Sequence, residues 1–219
     1  LSPEWMIVGE GVVSSLVFGI EAFTEPGDGV LVFNPVYDQF FTIIEGQNRH
    51  VVACDLIRTS EGYRMDMEQA ELLASEAKLA IICNPHNPIG RVWSRDELLD
   101  VTALCKKHHL IMLSDEIHGD ITFDDHSYTP LISLDEAKDI AVSIVSPNKT
   151  FNISGLGVSV TVVPDHLLRD RYAKAFRAHF VFGSNLFAYA AASAAYTKGD
   201  QWVDELCSYL KENVRYVEQ

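Results

Sequence analysis

Short apolar runs alternate with amphipathic stretches along most of the chain. The apolar runs predict buried strands at 29–33, 51–55, 79–83, 110–114, 141–145 and 158–163. Apolar residues at helical spacing predict helices at 12–23, 39–46, 67–77 and 95–108, and then a long helical run that begins at His166. This alternation is typical of an α/β domain whose helices cover a largely parallel sheet.

Local signals place two helix starts and divide the chain. Ser94 and Glu97 have the spacing of a capping box, and Asp165 after a proline is typical of a helix start. We find no linker, repeat or low-complexity tract, so we predict an α/β core over 1–164 and a helical tail over 165–219. The apolar face of the last stretch, 202–219, is predicted to pack in the core or on a second copy of the chain.

Composition excludes several function classes. The chain has 219 residues, 47% of them hydrophobic, and a formal net charge of −14 without a cluster of Lys and Arg, so nucleic acid is not expected as a partner. No apolar run approaches the length of about 20 residues that a membrane span needs. The eight histidines show no metal-ligand spacing. The four cysteines are far apart, at Cys54, Cys83, Cys105 and Cys207. They are predicted to be free thiols, which favours a reducing compartment, and we expect the protein in the cytoplasm.

Three polar motifs follow predicted strands, where ligands bind in open α/β sheets. The first, Cys-Asn-Pro-His-Asn-Pro-Ile-Gly at 83–90, has two Asn-Pro steps that leave amide side chains free to donate, although a plain loop would have the same composition. The second carries Asp115, whose carboxylate could bind a metal, a ribose or a protonated ring nitrogen. The third, Ser-Pro-Asn-Lys-Thr-Phe-Asn at 146–152, carries Lys149 among small polar residues, where an amine could condense with an aldehyde.

The order and spacing of the three motifs resemble the fold-type I enzymes that use pyridoxal 5'-phosphate (PLP), in the class I/II aminotransferase superfamily. The similarity is greatest to the MalY/PatB-type cystathionine β-lyases, and it is carried by the segments CNPHNPIGRVW, SDEIHGDI and NKTFNISGL. It runs over essentially the whole chain. The resemblance implies a three-layer α/β/α large domain with a mostly parallel, mixed sheet. It also implies that residues 1–219 are the PLP-binding large domain and that the tail leads toward a smaller domain absent from this chain.

The resemblance assigns roles residue by residue. Lys149 matches the lysine that forms the Schiff base with PLP, and Asp115 matches the acid that pairs with the ring nitrogen. Asn87 matches the amide that bonds the ring 3-oxygen, and His118 stands where aminotransferases usually have a tyrosine that reaches this oxygen. Tyr37 matches the aromatic residue that stacks on the ring, and its hydroxyl is a candidate acid/base.

Phosphate binding is assigned to the start of the first long helix. The backbone N–H groups of Gly11, Val12 and Val13 would hold the dianion there, together with the hydroxyl of Ser146. Many aminotransferases have an arginine eight residues after the Schiff-base lysine, but this position is Gly157 here. The phosphate is therefore expected to have one guanidinium contact fewer.

The resemblance implies a PLP-dependent C–S β-lyase, which would cleave cystathionine or related cysteine conjugates to a thiol, pyruvate and ammonia. Two alternatives stay open at this point. One is an aminotransferase of the same fold, which shares the site residues, and the other is a catalytically incomplete cofactor-binding fragment with a regulatory or interaction role. A homodimer is expected from the family, and the arginine that holds the substrate carboxylate is expected outside this chain.

Overall fold

A seven-stranded mixed sheet with helices on both faces forms the centre of the computed structural model, which describes residues 1–60, 62–123 and 126–219. Across the sheet the strand order is β1-β9-β8-β7-β6-β2-β3. The five strands from β8 to β3 run parallel, and β9 and β1 continue the sheet antiparallel. The strands are β1 (Met6–Gly9), β2 (Gly29–Asn34), β3 (His50–Asp55), β4 (Ile57–Thr59), β5 (Gly62–Arg64), β6 (Ala77–Cys83), β7 (Ile111–Asp115), β8 (Ala141–Val145) and β9 (Ser159–Val162).

Helices lie between most of the parallel strands and continue beyond them, while β4 and β5 pair as a separate hairpin. Short 3-10 turns lie at Pro3–Trp5, Ala74–Glu76, Leu131–Ser133 and Ser154–Leu156. The helices are α1 (Val12–Phe23), α2 (Gln39–Glu45), α3 (Met67–Leu73), α4 (Arg95–Lys107), α5 (His166–Ala178), α6 (Leu186–Lys198) and α7 (Asp200–Val217).

Alternate residues of each central strand point into two separate apolar layers. On β6, Ala80 and Ile82 join the layer under α3 and α4, whereas Leu79 and Ile81 join the layer under α1, α2 and α5. Because both faces of the parallel strands are covered, these strands are apolar without interruption. The predicted three-layer α/β/α architecture with a mostly parallel sheet is confirmed.

Most predicted elements are confirmed, with shifts at their ends. Ser94 Oγ accepts from the Glu97 amide over 3.2 Å while Glu97 Oε2 accepts from the Ser94 amide over 2.8 Å, so the capping box is present. Asp165 caps α5 by accepting from Leu168 N. The predicted helix 67–77 was too long, because α3 ends at Leu73 and a 3-10 turn leads directly into β6. Strand β1 and the β4–β5 hairpin were not predicted from the sequence.

The helical tail is interrupted, contrary to the predicted continuous run from His166. Phe180 and Gly183 have positive φ angles of 56° and 120°, which end α5 and separate it from α6. The side chain of Asn185 then caps α6 by accepting from Ala188 N over 2.9 Å. Helix α7 has no buried residue, so its apolar face does not pack into the core of this chain.

Candidate active site

A cavity of about 320 Å³ opens beside the carboxyl ends of β6 and β7 and the first turn of α1. Loops that follow parallel strands meet at this edge of the sheet, which is where open α/β sheets bind ligands. The residues of the sequence motifs that lie on its wall are Gly11, Val12, Val13, Tyr37, Asn87, Asp115, His118 and Lys149. The structure therefore brings eight of the nine predicted site residues to one place.

The ninth predicted residue, Ser146, is not on the wall of this cavity. Its buried hydroxyl donates to the Val158 carbonyl over 2.6 Å and accepts from the Asn148 amide over 3.1 Å. Both bonds shape the turn that leads to Lys149. Direct contact between this hydroxyl and a phosphate stays a prediction. In the structure the hydroxyl stabilises the turn through its two hydrogen bonds.

Asp115 is a buried acid at the end of β7, in register with Cys83 on β6. Its side chain is 5% exposed, and Oδ1 accepts from the Ile117 amide over 3.2 Å. Burial, with a smaller contribution from the neighbouring charge of Glu116, raises the pKa of this carboxyl to about 7, although the hydrogen bond from Ile117 and the charge of Lys149 act in the opposite direction. A cationic N–H placed against such a carboxyl favours its charged form, so Asp115 fits a protonated ring nitrogen.

Lys149 lies in the turn after β8, and its side chain is exposed to the cavity. The turn is held by the Phe151 amide, which donates to the Pro147 carbonyl over 2.9 Å. Burial lowers the pKa of His118, and the positive charge of Lys149 lowers it further. His118 is therefore neutral near pH 7, with one ring nitrogen that donates and one that accepts.

The turn with the two Asn-Pro steps is tied back to the sheet at several points. Asn84 Oδ1 accepts from the Trp93 amide over 3.0 Å, and Trp93 Nε1 donates to the Cys83 carbonyl over 3.0 Å. The amide N–H of Asn87 donates to Cys83 Sγ over 3.4 Å. The backbone of Asn87 is thus anchored, and the residue lies on the cavity wall. This placement suits the predicted role of its side-chain amide as a donor to the ring oxygen.

The first turn of α1 forms the other end of the cavity. N–H groups in the first turn of a helix have no partner within the helix, so those of Val12 and Val13 suit an anionic group. The amide of Gly11 already donates to Ser159 Oγ over 3.2 Å, which leaves it less available than predicted. Tyr37 is half-buried on the same wall, and its ring packs edge-on against Phe40 with centroids 5.9 Å apart.

Gly157 has a conformation that explains why no arginine stands at this position. Its φ angle is 62°, and a Cβ atom built there would lie 2.7 Å from the Glu10 carbonyl oxygen. L-residues with a side chain are strained in this region of φ. The backbone at 157 therefore closes against the loop that leads into α1. Among the described residues that line the cavity, Lys149 is the one cationic side chain.

Seven wall residues were not predicted from the sequence: Glu10, Ser14, Cys83, Ile117, Asn148, Ser154 and Gly157. Gly157 was noted from the sequence only because it stands where many aminotransferases have an arginine. Cys83, Ile117 and Asn148 are immediate neighbours of the motif residues, so proximity to the motifs was the available signal. Ser14 likewise follows Val13 directly, whereas Ser154 had no signal of this kind, because only folding brings its turn beside α1.

A second cavity, of about 330 Å³, shares Asn87, His118 and Lys149 with the first. His86 lies on its wall rather than on the wall of the first cavity, and its Nε2 donates to the Pro35 carbonyl over 2.9 Å. Burial lowers the pKa of His86. Lys149 thus borders two adjoining spaces, one lined by Asp115 and one lined by apolar residues together with His86 and His126.

Two further features concern the described residues: candidate metal sites and helices that could cross a membrane. In the ranges 1–60, 62–123 and 126–219, no group of three or more His, Cys, Asp or Glu side chains is placed to hold a metal ion. No helix in these ranges has both the length and the apolar character to cross a membrane. The four cysteines are free thiols, and three of them are buried.

Comparison with known proteins gives relatives over the whole chain. Cystathionine beta-lyase PatB of Bacillus subtilis is 41% identical over 221 residues, which cover 100% of this chain and 57% of PatB. Protein MalY of Escherichia coli is 32% identical over 99% of this chain and 56% of its own length. The crystal structure of cystalysin from Treponema denticola, which contains pyridoxal 5'-phosphate, superposes with a TM-score of 0.94 at 33% identity, over 99% of this chain and 56% of cystalysin.

The chain thus spans somewhat more than half the length of these relatives. The sequence profile described as aminotransferase class I and II covers residues 1–219, and the resemblance stated from the three motifs is confirmed. The chain belongs to the aminotransferase class I and II family.

Proposed function

We propose that this chain binds PLP and carries the cofactor chemistry of a C–S β-lyase that acts on cystathionine or related cysteine conjugates. The observation that carries the proposal is the arrangement of Asp115, Asn87, His118 and Lys149 around one cavity. These four side chains come from three separate strand ends, and they supply the acid, the amide, the imidazole and the amine that PLP chemistry uses. Relatives named cystathionine beta-lyase and cystalysin support the same conclusion.

PLP, when bound, supplies an electron sink next to the α-carbon of an amino acid. Asp115 would hold the proton on the ring nitrogen, since its charged form gains most from a cationic partner in the buried site. Asn87 and His118 would donate to the ring oxygen. Tyr37 would cover the face of the ring, and the Val12 and Val13 amides would hold the phosphate.

Lys149 has two tasks in this proposal. Its amine would hold the cofactor by its aldehyde, and the same amine, once free, would be the base that removes the proton from the substrate α-carbon. A thiolate then leaves from the β-carbon, and the Tyr37 hydroxyl is a candidate to protonate it. Addition of water to the remaining fragment gives pyruvate and ammonia, so cystathionine would yield homocysteine.

An aminotransferase would share these residues and differ only in where the proton is returned. The name cystathionine beta-lyase, given to PatB, favours elimination and also suggests a sulfur amino acid as substrate. We also propose a homodimer in the cytoplasm, with residues 1–164 as the core of a large domain and residues 165–219 leading toward a smaller domain. No arginine lines either cavity in the described part of the chain, so we place the group that binds the substrate carboxylate elsewhere in the assembly.

The test is an assay of the PLP-loaded protein with L-cystathionine and without a 2-oxo acid. Pyruvate and homocysteine are expected in equal amounts and in step with ammonia. Tyr216→Phe serves as a control, because this exposed residue lies on α7 away from both cavities.

Two results would overturn the lyase assignment. One is product formation that requires a 2-oxo acid and releases no ammonia, since this is the behaviour of an aminotransferase. The other is stable PLP binding through Lys149 without turnover of any cysteine conjugate, which would favour a binding or regulatory role.

A further inference from the structure

Glu116, next to Asp115, is a buried acid that the proposed chemistry does not use. Its side chain is 3% exposed and accepts hydrogen bonds from three sides. The Ser143 hydroxyl on β8 donates over 2.8 Å, the Leu131 amide donates over 3.0 Å, and the Tyr128 hydroxyl donates as well. Burial raises the pKa of this carboxyl. Its charged form would destabilise the folded state if these three donors did not bind it.

A functional segment lies between Glu116 and the three donors, all of which follow it along the chain. We name residues 117–123 the His118 segment, since it places Ile117 and His118 on the first cavity and Ile121, Thr122 and Phe123 on the second. The segment starts directly after Glu116, and the chain returns to the Glu116 carboxylate at Tyr128 and Leu131. The carboxylate therefore joins the two ends of the loop that contains the segment.

Tyr128 also contacts the segment itself. A Cβ atom built on Gly119 would lie 2.8 Å from Cε1 of Tyr128, so the tyrosine ring lies directly against the Gly119 backbone. One residue further, Asp120 Oδ2 accepts from the Thr150 hydroxyl over 3.0 Å. Because Thr150 follows Lys149, the segment has contacts both with the Glu116 network and with the turn that carries the reactive amine.

We propose that Glu116 is a positioning residue that acts through Tyr128 and Leu131 to hold the His118 segment in place between Asp115 and Lys149. This inference rests on the proposed function, because it concerns the place of His118 relative to bound PLP. A purely structural role for Glu116 makes a different prediction. It would lower stability when the network is weakened, but leave the spectrum and the turnover of the folded protein unchanged.

Tyr128→Phe tests this proposal because it removes one donor and leaves the ring against Gly119. In the PLP-loaded protein we expect a changed visible absorbance band, weaker binding of PLP, and a kcat reduced by up to about 100-fold at saturating cofactor. Tyr216→Phe removes the same hydroxyl from an exposed tyrosine and is expected to change none of these quantities. Glu116→Gln should give the same spectral change, since an amide cannot accept from all three donors.

The double variant separates a shared pathway from two independent effects. If Tyr128 acts through Glu116, Tyr128→Phe together with Glu116→Gln should be no worse than Glu116→Gln alone in spectrum and in kcat. Additive losses would overturn the proposal. A Tyr128→Phe protein with the unmodified spectrum, cofactor affinity and kcat would also overturn it, even if its unfolding temperature fell.

Failure of the proposed function gives a different result. An unmodified protein that does not bind PLP would overturn the function and the positioning role together. An unmodified protein that binds PLP and cleaves cystathionine, combined with unaffected Tyr128→Phe and Glu116→Gln variants, would overturn the positioning role alone. Tyr128→Phe keeps the proposal testable if Glu116→Gln does not fold.

Discussion

The Thr150 hydroxyl donates a hydrogen bond of 3.0 Å to Asp120 Oδ2. This bond joins the turn after β8, which carries Lys149, to the segment after β7, which carries His118. Trp202 on α7 adds a second contact, since its Nε1 donates to the Thr150 carbonyl over 2.8 Å. The position of the Lys149 amine therefore depends on residues from three parts of the chain.

Thr150→Val should impair the proposed reaction more than it impairs folding. Valine fills nearly the same volume but cannot donate to Asp120, so we expect the unfolding free energy to fall by only about 1 kcal/mol. The kcat for cystathionine should fall roughly tenfold, because the Lys149 turn is less well held. Thr197→Val is the matched control, as its exposed hydroxyl donates only to Ser193 O on α6. Equal kcat values for the two variants would contradict this view of Thr150.

Lys149→Ala should abolish the visible absorbance that a lysine-linked PLP gives. The amine of Lys149 borders both cavities, and no other cationic side chain lines the first one among the described residues. Borohydride reduction followed by peptide mass analysis should label Lys149 in the unmodified protein and leave the variant unlabelled. A visible band and a labelled peptide in Lys149→Ala would refute the assignment.

Local patterns predicted the parts of the fold that local chemistry determines. Apolar runs located the strand ends that carry Asn87, Asp115 and Lys149, and the Ser94 cap was visible from its spacing. The short edge strand β1 was not predicted, because its four residues gain their structure by pairing with β9, from Met6 opposite Val162 to Gly9 opposite Ser159.

Contacts between distant residues also account for two features that were not predicted from the sequence, one at the site and one in the helical tail. The Ser146 hydroxyl is taken by Val158, twelve residues further along the chain. The break before α6 is fixed by Ser184, which donates to Gly157 O over 2.5 Å, and by Asn185, which donates to Leu156 O over 2.7 Å. Hydrogen bonds between residues so far apart leave no periodic signal in the sequence.

Gly157→Ala should destabilise the protein, because a Cβ atom would meet the Glu10 carbonyl oxygen at 2.7 Å in a backbone with φ of 62°. We expect a loss of about 1–3 kcal/mol in urea unfolding. Gly155→Ala is a close control in the 3-10 turn that Gly157 ends, since no heavy atom lies within 4 Å of the added Cβ.

Gly157→Arg tests the missing phosphate contact directly. The arginine would have to displace the Glu10 backbone, which leads into the Gly11–Val13 amides, so we expect weaker PLP binding rather than a restored guanidinium contact. A lower dissociation constant for PLP in Gly157→Arg would show that the backbone at 157 accepts the side chain and that this explanation of the departure is wrong.

Asp115 should make the cofactor-free protein less stable as the pH rises. Its carboxyl has an ordinary pKa of 3.8, and burial raises the pKa to about 7 in the folded chain. Between these values the folded state binds more protons at this site than the unfolded state, so the free energy of unfolding falls with increasing pH. The contribution is full below about pH 4 and is lost progressively until the pH passes about 7, with a slope of about 1.4 kcal/mol per pH unit between these values.

Asp115→Asn removes this contribution together with the repulsion between Asp115 and Glu116, which also raises the pKa of Asp115; the acids that do not interact with Asp115 titrate alike in both proteins. Urea unfolding of both proteins is measured from pH 4 to pH 8 without PLP. The free energy of unfolding of Asp115→Asn should rise relative to that of the unmodified protein as the pH increases. Saturating PLP should remove the shift, because a protonated ring nitrogen stabilises the charged carboxyl. A pH-independent difference without PLP would show that Asp115 is already charged in the empty cavity, and an unchanged slope with PLP would place the ring nitrogen away from Asp115.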